Sequence, residues 1–536
     1  MNITIKQLIY FSLFFWILNF CWSIFAITPN VDDMWYFAPS LGFAYFNELA
    51  FHMEKYVYYD FSKFPIFPFL QGFFLKFLLL LNFPINSYTY HLFPFLIFCL
   101  LILFTFKLIN LLSNNKKNDL LLKKTFFLVL VSVSPISFLF INSRPELLAL
   151  TFFVLGIFFY LKSKKNLLKN NLNLLLSGFF LSLSIFTHPT FFFLNFFLVF
   201  LILFKNFELK RFFFFLTSFS IPLCFFLFYY FNNLPHSLEH LLVASGGFPY
   251  FGYFISYIKT IFLNENIYIN LINLYYYLPY FLCLIFLLII YLKRIFKNSY
   301  LLKNNETISS ILLFSILITL FIERSTYYNH AIFAYLVFLI FISDNYFIKI
   351  KLFFHKYIFK LPNFLLGFVI FFIICSWNIV HSLKYYHYQN QYLVNTKFLK
   401  FKNSQINNSK KEFVITRSEF VPYFIKEIND NYLLNFKDSK HHWLFPISGR
   451  ANSEGEITLL KEFVKKKFVE QNTSKYLWII AKKNIIKKEN QFLCISIHDG
   501  LGLNPIKIKL EDYSISYNTI KYIVLNPNKI SLDCHY

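Results

Sequence analysis

The sequence predicts a polytopic α-helical membrane protein with about eleven transmembrane helices and a small C-terminal α/β domain outside the membrane. Three observations predict it. Hydrophobic residues make up 57% of the chain and charged residues only 15%, against about 25% charged in ordinary soluble domains. Apolar runs of membrane-spanning length recur along the first 380 or so positions. Past residue 384 the composition changes sharply to ordinary charge density with short strand-like runs.

Spans are expected at 7–27, 90–106, 125–142, 146–161, 171–187, 189–204, 212–231, 272–292, 307–322, 328–343 and 363–382. A further apolar run, 64–83, opens on Pro65 and Pro68 and contains Gln71, Gly72 and Lys76. Charge decides its place. With 64–83 left out of the bilayer and the N-terminus cytoplasmic, about 21 cations fall in the inner loops and about 6 outside, as the positive-inside rule demands. Letting it span would reverse every later loop. The expected organisation is therefore a transmembrane domain over 1–383, with 28–89 an outer loop holding juxtamembrane helices, and an extracytoplasmic α/β domain over 384–536. In that last part Phe413-Val-Ile-Thr, the run from Tyr476 and the run from Tyr522 read as strands. Residues 397–412, rich in Lys, Asn and Ser, read as a linker.

The formal net charge of +24 reflects loop lysines rather than one basic face, which excludes nucleic acid as a partner. An abundance of Phe, Ile, Asn, Lys and Tyr suggests an A/T-rich, bacterial genome, hence the inner (plasma) membrane, with the C-terminal domain periplasmic or extracellular. Cys494 and Cys534 fall in the tail and can pair if it lies in an oxidising compartment. No CxxC or zinc-type spacing occurs. His236-Ser-Leu-Glu239-His240 matches the HxxEH protease pattern, but no third ligand stands in a matching context, and it reads as a polar loop helix.

Under this topology the unusual ionisable residues gather on the outer side. They are Asp32-Asp33-Met34-Trp35-Tyr36 after the first helix, Lys63, Arg144-Pro145-Glu146, Thr187-His188-Pro189, and Arg324 to Tyr328. Ionisable groups at membrane depth are costly and mark functional sites by default. Structural readings compete. Arg144 and Glu146 can cap a helix or pair with each other, Thr187-His188-Pro189 can punctuate two helices, and the tyrosines can belong to an interfacial belt.

The ordered set resembles the GT-C superfamily of membrane glycosyltransferases, in the protein O-mannosyltransferase and aminoarabinose transferase group. The matching features are the acidic pair followed by Tyr36, then Lys63-Phe64-Pro65, the Arg144 turn, Thr187-His188-Pro189, and Arg324 to Tyr328 before a late helix. Departures are Asp33 where Glu is commoner, a single Pro directly after Phe64, and His188 where Lys is frequent. The resemblance covers about the first 345 residues. It implies a polyprenyl-phosphate sugar as donor, inversion at the anomeric carbon, and a lipid, glycan or protein acceptor at the bilayer. It implies Asp32 as base and Asp33 as helper. Lys63 and Arg324, then Arg144, would face the phosphate, and Glu146, His188, Tyr36 and Tyr328 would contact substrate. No cofactor is required, although Asp32-Asp33 offers a divalent cation a ligand pair. The competing readings are a flippase of lipid-linked sugars, an O-antigen polymerase or ligase, and a non-catalytic membrane protein. A flippase predicts inverted repeats and broken midplane helices, which the sequence does not display.

Overall fold

The structure is a computed structural model. It describes residues 31–53, 56–58, 64–85, 87–112, 144–165, 170–188, 209–232, 398–408, 413–416, 442–444, 477–483, 486–489, 491–495, 506–509, 513–518 and 522–529, with single positions elsewhere. The chain divides into two compact units. One takes residues 1–22, 94–227 and 247–389; the other takes 23–93, 228–246 and 390–536.

In the first unit the helices follow the apolar runs. Helix α3 (Ser87–Leu112), which enters this unit from the other, covers the expected span 90–106. Helices α4 (Pro145–Lys165), α5 (Asn170–Thr187) and α6 (Leu209–Phe231) cover 146–161, 171–187 and 212–231. Segments Thr89–Leu112, Pro145–Ser163 and Phe212–Phe231 are long and apolar enough to cross a bilayer, while Asn171–Thr187 is apolar but shorter. The other predicted spans, and the His236–His240 segment, lie outside the described residues.

Small residues let these helices close on one another, as expected where apolar transfer supplies no drive between helices. Ser177 Oγ donates to the Gly156 carbonyl at 2.9 Å, and Gly156 lies against Leu181. Gly178 faces the Phe215 carbonyl and Ser218. Phe180 stacks between Phe152 and Phe159 on the α4–α5 seam. The Tyr335 hydroxyl, fully buried, hydrogen-bonds Thr105 Oγ1.

The second unit contains helix α1 (Val31–Phe46), a small antiparallel pair β1 (Phe51–Met53) and β2 (Tyr56–Tyr58), and helix α2 (Ile66–Leu80). At 15 residues α2 reaches about 22 Å, short of the roughly 30 Å hydrocarbon core. Asn47 and Asn82 follow α1 and α2 at φ 60° and 58°, the left-handed turn that Asn tolerates at helix ends. The Asn47 amide side chain also accepts from Lys76 Nζ, tying the end of α1 to α2.

From the tail come two sheets. Strands β3 (Phe413–Thr416), β4 (His442–Leu444), β5 (Leu477–Lys482), β9 (Tyr513–Asn518) and β10 (Tyr522–Pro527) form a mixed sheet in the order β4-β3-β5-β10-β9. β3 runs parallel to β4 and β5, and β10 antiparallel to β5 and β9. Strands β6 (Ile486–Glu489), β7 (Phe492–Ile495) and β8 (Ile506–Lys509) form an antiparallel sheet. The five residues Leu477 to Ala481 are all buried, so β5 is covered on both faces and reads as a continuous apolar run. Cys494, fully buried on β7, is disulfide-bonded.

One sequence expectation changes here. Residues 397–412 are not a simple linker: a helical turn from Phe398 continues into a π-helix, Lys402–Ile406, and buries Phe398 and Ile406. The polar composition hid two core residues that lie on one side of the turn. Described residues of the segment 28–89 contribute to one core with residues of the tail. Phe37, Leu41, Ala44, Leu75, Ile85 and Tyr90 share one contiguous core with Phe398, Ile406, Val414, Trp478, Ile480 and Val524.

Helices α1 and α2 approach most closely at Gly72. A Cβ there would meet the Ser40 carbonyl oxygen at 2.7 Å and Phe43 Cβ at 2.9 Å. The first is backbone and cannot rotate away. Gly72→Val is expected to destabilise the protein by about 1–3 kcal/mol, read as a lower melting temperature in detergent. An unchanged melting curve would mean that the two helices are not in this contact.

Candidate functional site

Helices α4 and α5 form a hairpin, which brings the start of α4 beside the end of α5. Pro145 opens α4, where its missing N–H costs nothing, and Arg144 immediately precedes it. Glu146 sits in the first turn, favoured by the positive end of the helix dipole, and His188 follows the last residue of α5, at the negative end. The His188 amide donates back to the Ser184 carbonyl at 3.3 Å, continuing the helical pattern, and Phe191 N donates to the His188 carbonyl at 3.1 Å.

These three side chains meet. Arg144 Nη2 donates to Glu146 Oε1 at 2.6 Å, and Arg144 Nε lies 3.0 and 3.1 Å from the two carboxylate oxygens. His188 Nε2 is 3.6 Å from Glu146 Oε1, an ion-pair distance too long for a hydrogen bond. Residue exposures are 6% for Arg144, 1% for Glu146 and 9% for His188, so the cluster is almost wholly withdrawn from solvent. Pairing the carboxylate with the guanidinium lowers the cost of burying both. The pairing of Arg144 with Glu146 leaves the guanidinium already neutralised rather than presenting an open cation.

One turn below, Asn195 Nδ2 donates to Ser184 Oγ at 2.6 Å and to the Phe191 carbonyl at 2.8 Å. Sequence reading passed over both residues, since each is a single polar position inside an apolar run. The polarity of the runs at these points was the available signal.

In the second unit Asp32 and Asp33 occupy the first turn of α1. Four residues on, the buried ring of Tyr36 packs edge-on against Phe67 of α2, centroids 5.6 Å apart. One turn further, the Ser40 hydroxyl donates to Gln71 Oε1 at 2.9 Å, with the Tyr36 carbonyl 2.7 Å away. Ser40 and Gln71 are fully buried. The Asn47–Lys76 bond closes the series. Contacts 36 to 67, 40 to 71 and 47 to 76 advance together, so α1 and α2 run parallel. Their N-terminal ends, one bearing the acid pair and the other beginning three residues after Lys63, lie at the same end of the pair. Lys63, Arg324 and Tyr328 themselves lie outside the described residues. Gln71 and Ser40 are further polar residues that the sequence reading did not assign. Among the described residues no group of three or more His, Cys, Asp or Glu side chains is placed to hold a metal ion.

No protein-family profile matches the sequence, and no curated protein matches it. The fold has solved counterparts. ArnT from Cupriavidus metallidurans in the apo state superposes with a TM-score of 0.57 at 9% identity over 97% of both chains. The same enzyme bound to undecaprenyl phosphate gives 0.54 at 10% identity, again over 97% of both. The Archaeoglobus fulgidus oligosaccharyltransferase gives 0.45 at 12% identity over 88% of this chain and 70% of that one. ArnT, an aminoarabinose transferase, is a GT-C glycosyltransferase, and its likeness extends from the membrane part through the tail. The chain has the polytopic GT-C fold of ArnT, the fold of the superfamily that its ordered motifs resemble.

Proposed function

We propose that the protein is an inverting glycosyltransferase of the bacterial inner membrane, moving a sugar from a polyprenyl-phosphate donor to a lipid, glycan or protein hydroxyl on the periplasmic face. The observation that carries this reading is the parallel packing of α1 on α2 within an ArnT-like fold. It sets the first turn of α1, which holds the acid pair, at the same end as the start of α2, and this arrangement supports the reading. A base and a phosphate-binding cation at one place are what the reaction needs.

In the scheme Asp32 takes the proton of the acceptor hydroxyl as its oxygen attacks the anomeric carbon. The bond from that carbon to the phosphate oxygen breaks, and polyprenyl phosphate leaves with the electron pair. A phosphate leaves without an acid catalyst, so one carboxylate suffices where a glycosidase needs two. Charge growing on the phosphate is met by Lys63 and Arg324. Asp33 orients the acceptor. Tyr36, Tyr328 and His188 are the proposed substrate contacts, and Arg144 and Glu146 pair beside His188. The scheme requires no metal. The undecaprenyl phosphate held by the ArnT structure is the class of carrier assigned to this chain. The disulfide at Cys494, with Cys534 as its expected partner, supports an oxidising, extracytoplasmic compartment for the tail and for α1.

The test is a transfer assay on the full chain in detergent or proteoliposomes, with a panel of labelled polyprenyl-phosphate sugars and envelope extract as acceptor. Free polyprenyl phosphate should accumulate as label moves to acceptor. Turnover of nucleotide sugars in place of lipid-linked ones would overturn the reading.

A further inference from the structure

The tail is joined to α1 by more than sequence continuity. Along α1, Phe37, Leu41 and Ala44 recur at helical spacing and belong to the core that also contains Phe398, Ile406, Val414, Trp478, Ile480 and Val524 of the tail. The remaining packed side of α1 faces α2, through Tyr36, Ser40 and Phe43. Helix α1 is therefore gripped from two directions. The α2 contact sets how far it slides, through the Ser40–Gln71 bond and the close approach at Gly72. The tail core sets how it is rotated about its own axis. Asp32 and Asp33 precede Phe37 by little more than one turn, about 6–8 Å along the axis, so rotation of the seated part is passed directly to the acids.

We propose that the C-terminal segment is a positioning element for α1: the core formed by Trp478, Ile480 and Val524 with Phe398 and Ile406 sets the orientation of the helix that carries the acid pair. The consequence for transfer rests on the reading of Asp32 as base. The mechanical part, that the tail holds α1, does not. Trp478 is the central candidate, because it is the largest tail side chain in this core and is buttressed edge-on by Phe401, centroids 6.0 Å apart. It acts through α1 and touches no substrate.

The experiment compares full-length Trp478→Ala and Trp478→Phe with Ile515→Ala, a truncation at an exposed position of β9, in detergent. Two quantities are read: hydrogen exchange of the peptides covering 31–46, and the kcat and KM of transfer. Trp478→Ala should speed exchange in 31–46 while leaving 145–165 unchanged. It should also lower kcat by about 10- to 100-fold, the scale of a misplaced catalytic group, with the donor KM little altered. Trp478→Phe should restore most of both, and Ile515→Ala should change neither. If Trp478→Ala does not fold, Val524→Ala and Phe37→Ala open the same core from its two sides and should show the same pattern more mildly. Unaltered exchange in 31–46 in folded core variants overturns the proposal. Faster exchange there, in a protein that transfers no sugar even as wild type, would uphold the mechanical role and reject the glycosyltransferase reading instead.

Discussion

Asp32→Asn should reduce sugar transfer by roughly 10²- to 10⁴-fold, the range that a positioned general base contributes, without loss of the folded protein. Asn matches Asp in size but cannot take a proton from the acceptor hydroxyl. The residues that seat α1, namely Phe37, Leu41, Ala44 and Ser40, lie elsewhere on the helix and are untouched. The melting temperature and the yield in the membrane should therefore stay at wild-type values. The donor KM should stay too, because the proposed phosphate contacts belong to Lys63 and Arg324. A pure kcat effect is the signature of an interaction made only in the transition state. Asp33→Asn should cost less, since that residue orients rather than accepts the proton. If Asp32→Asn turned over at near the wild-type rate and Asp33→Asn did not, the roles of the pair would be exchanged. If both were fully active, the base would lie elsewhere, and the shared end of α1 and α2 would have no catalytic meaning.

How much of this was legible in the sequence depends on the range of the interaction. The spans at 90–106, 146–161, 171–187 and 212–231 were readable because apolar length is a local property, and the helices found there extend only a few residues beyond. Apolar length alone would have counted 64–83 as another span. Only the bookkeeping of loop charge set it aside; the helix found there, α2, has 15 residues. The strands at Phe413, Leu477 and Tyr522 were likewise local signals. What stayed hidden was long-range. Nothing in the periodicity around Phe37 or Trp478 says that they share a core, and the Lys- and Asn-rich background around Phe398 and Ile406 disguised a buried turn as a linker. At the site the same division holds. The pairing of Arg144 with Glu146 was one of two local readings, whereas the arrival of His188 depended on the α4–α5 hairpin. The Ser40–Gln71 bond depended on the parallel register of α1 and α2. For Lys63, Arg324 and Tyr328 the sequence remains the only source, since they lie outside the described residues.

The second large effect is expected at Glu146, on stability. Its carboxylate is 1% exposed, accepts from two nitrogens of Arg144 and lies within ion-pair reach of His188. Glu146→Ala removes the anion and takes from the buried Arg144 guanidinium, itself 6% exposed, the carboxylate it is paired with. Breaking a buried pair from one side costs about 3–5 kcal/mol, because the surviving charge has lost both its partner and its water. The Glu146→Ala protein should aggregate at markedly lower temperature in detergent, followed by size-exclusion chromatography after heating. Removing both charges has the opposite logic. Arg144→Met combined with Glu146→Leu replaces the pair with apolar groups of similar volume and should recover most of the lost stability, since desolvation of the pair was itself a cost. A Glu146→Ala protein as heat-stable as wild type would show that the ion pair is not buried as described. The double variant also separates two roles that a single substitution confounds. If Arg144 and Glu146 only hold the turn between α4 and α5, transfer activity should return together with stability. If the protein is stable but inactive, one of the two charges must face the substrate during the reaction, and His188 alone does not replace it.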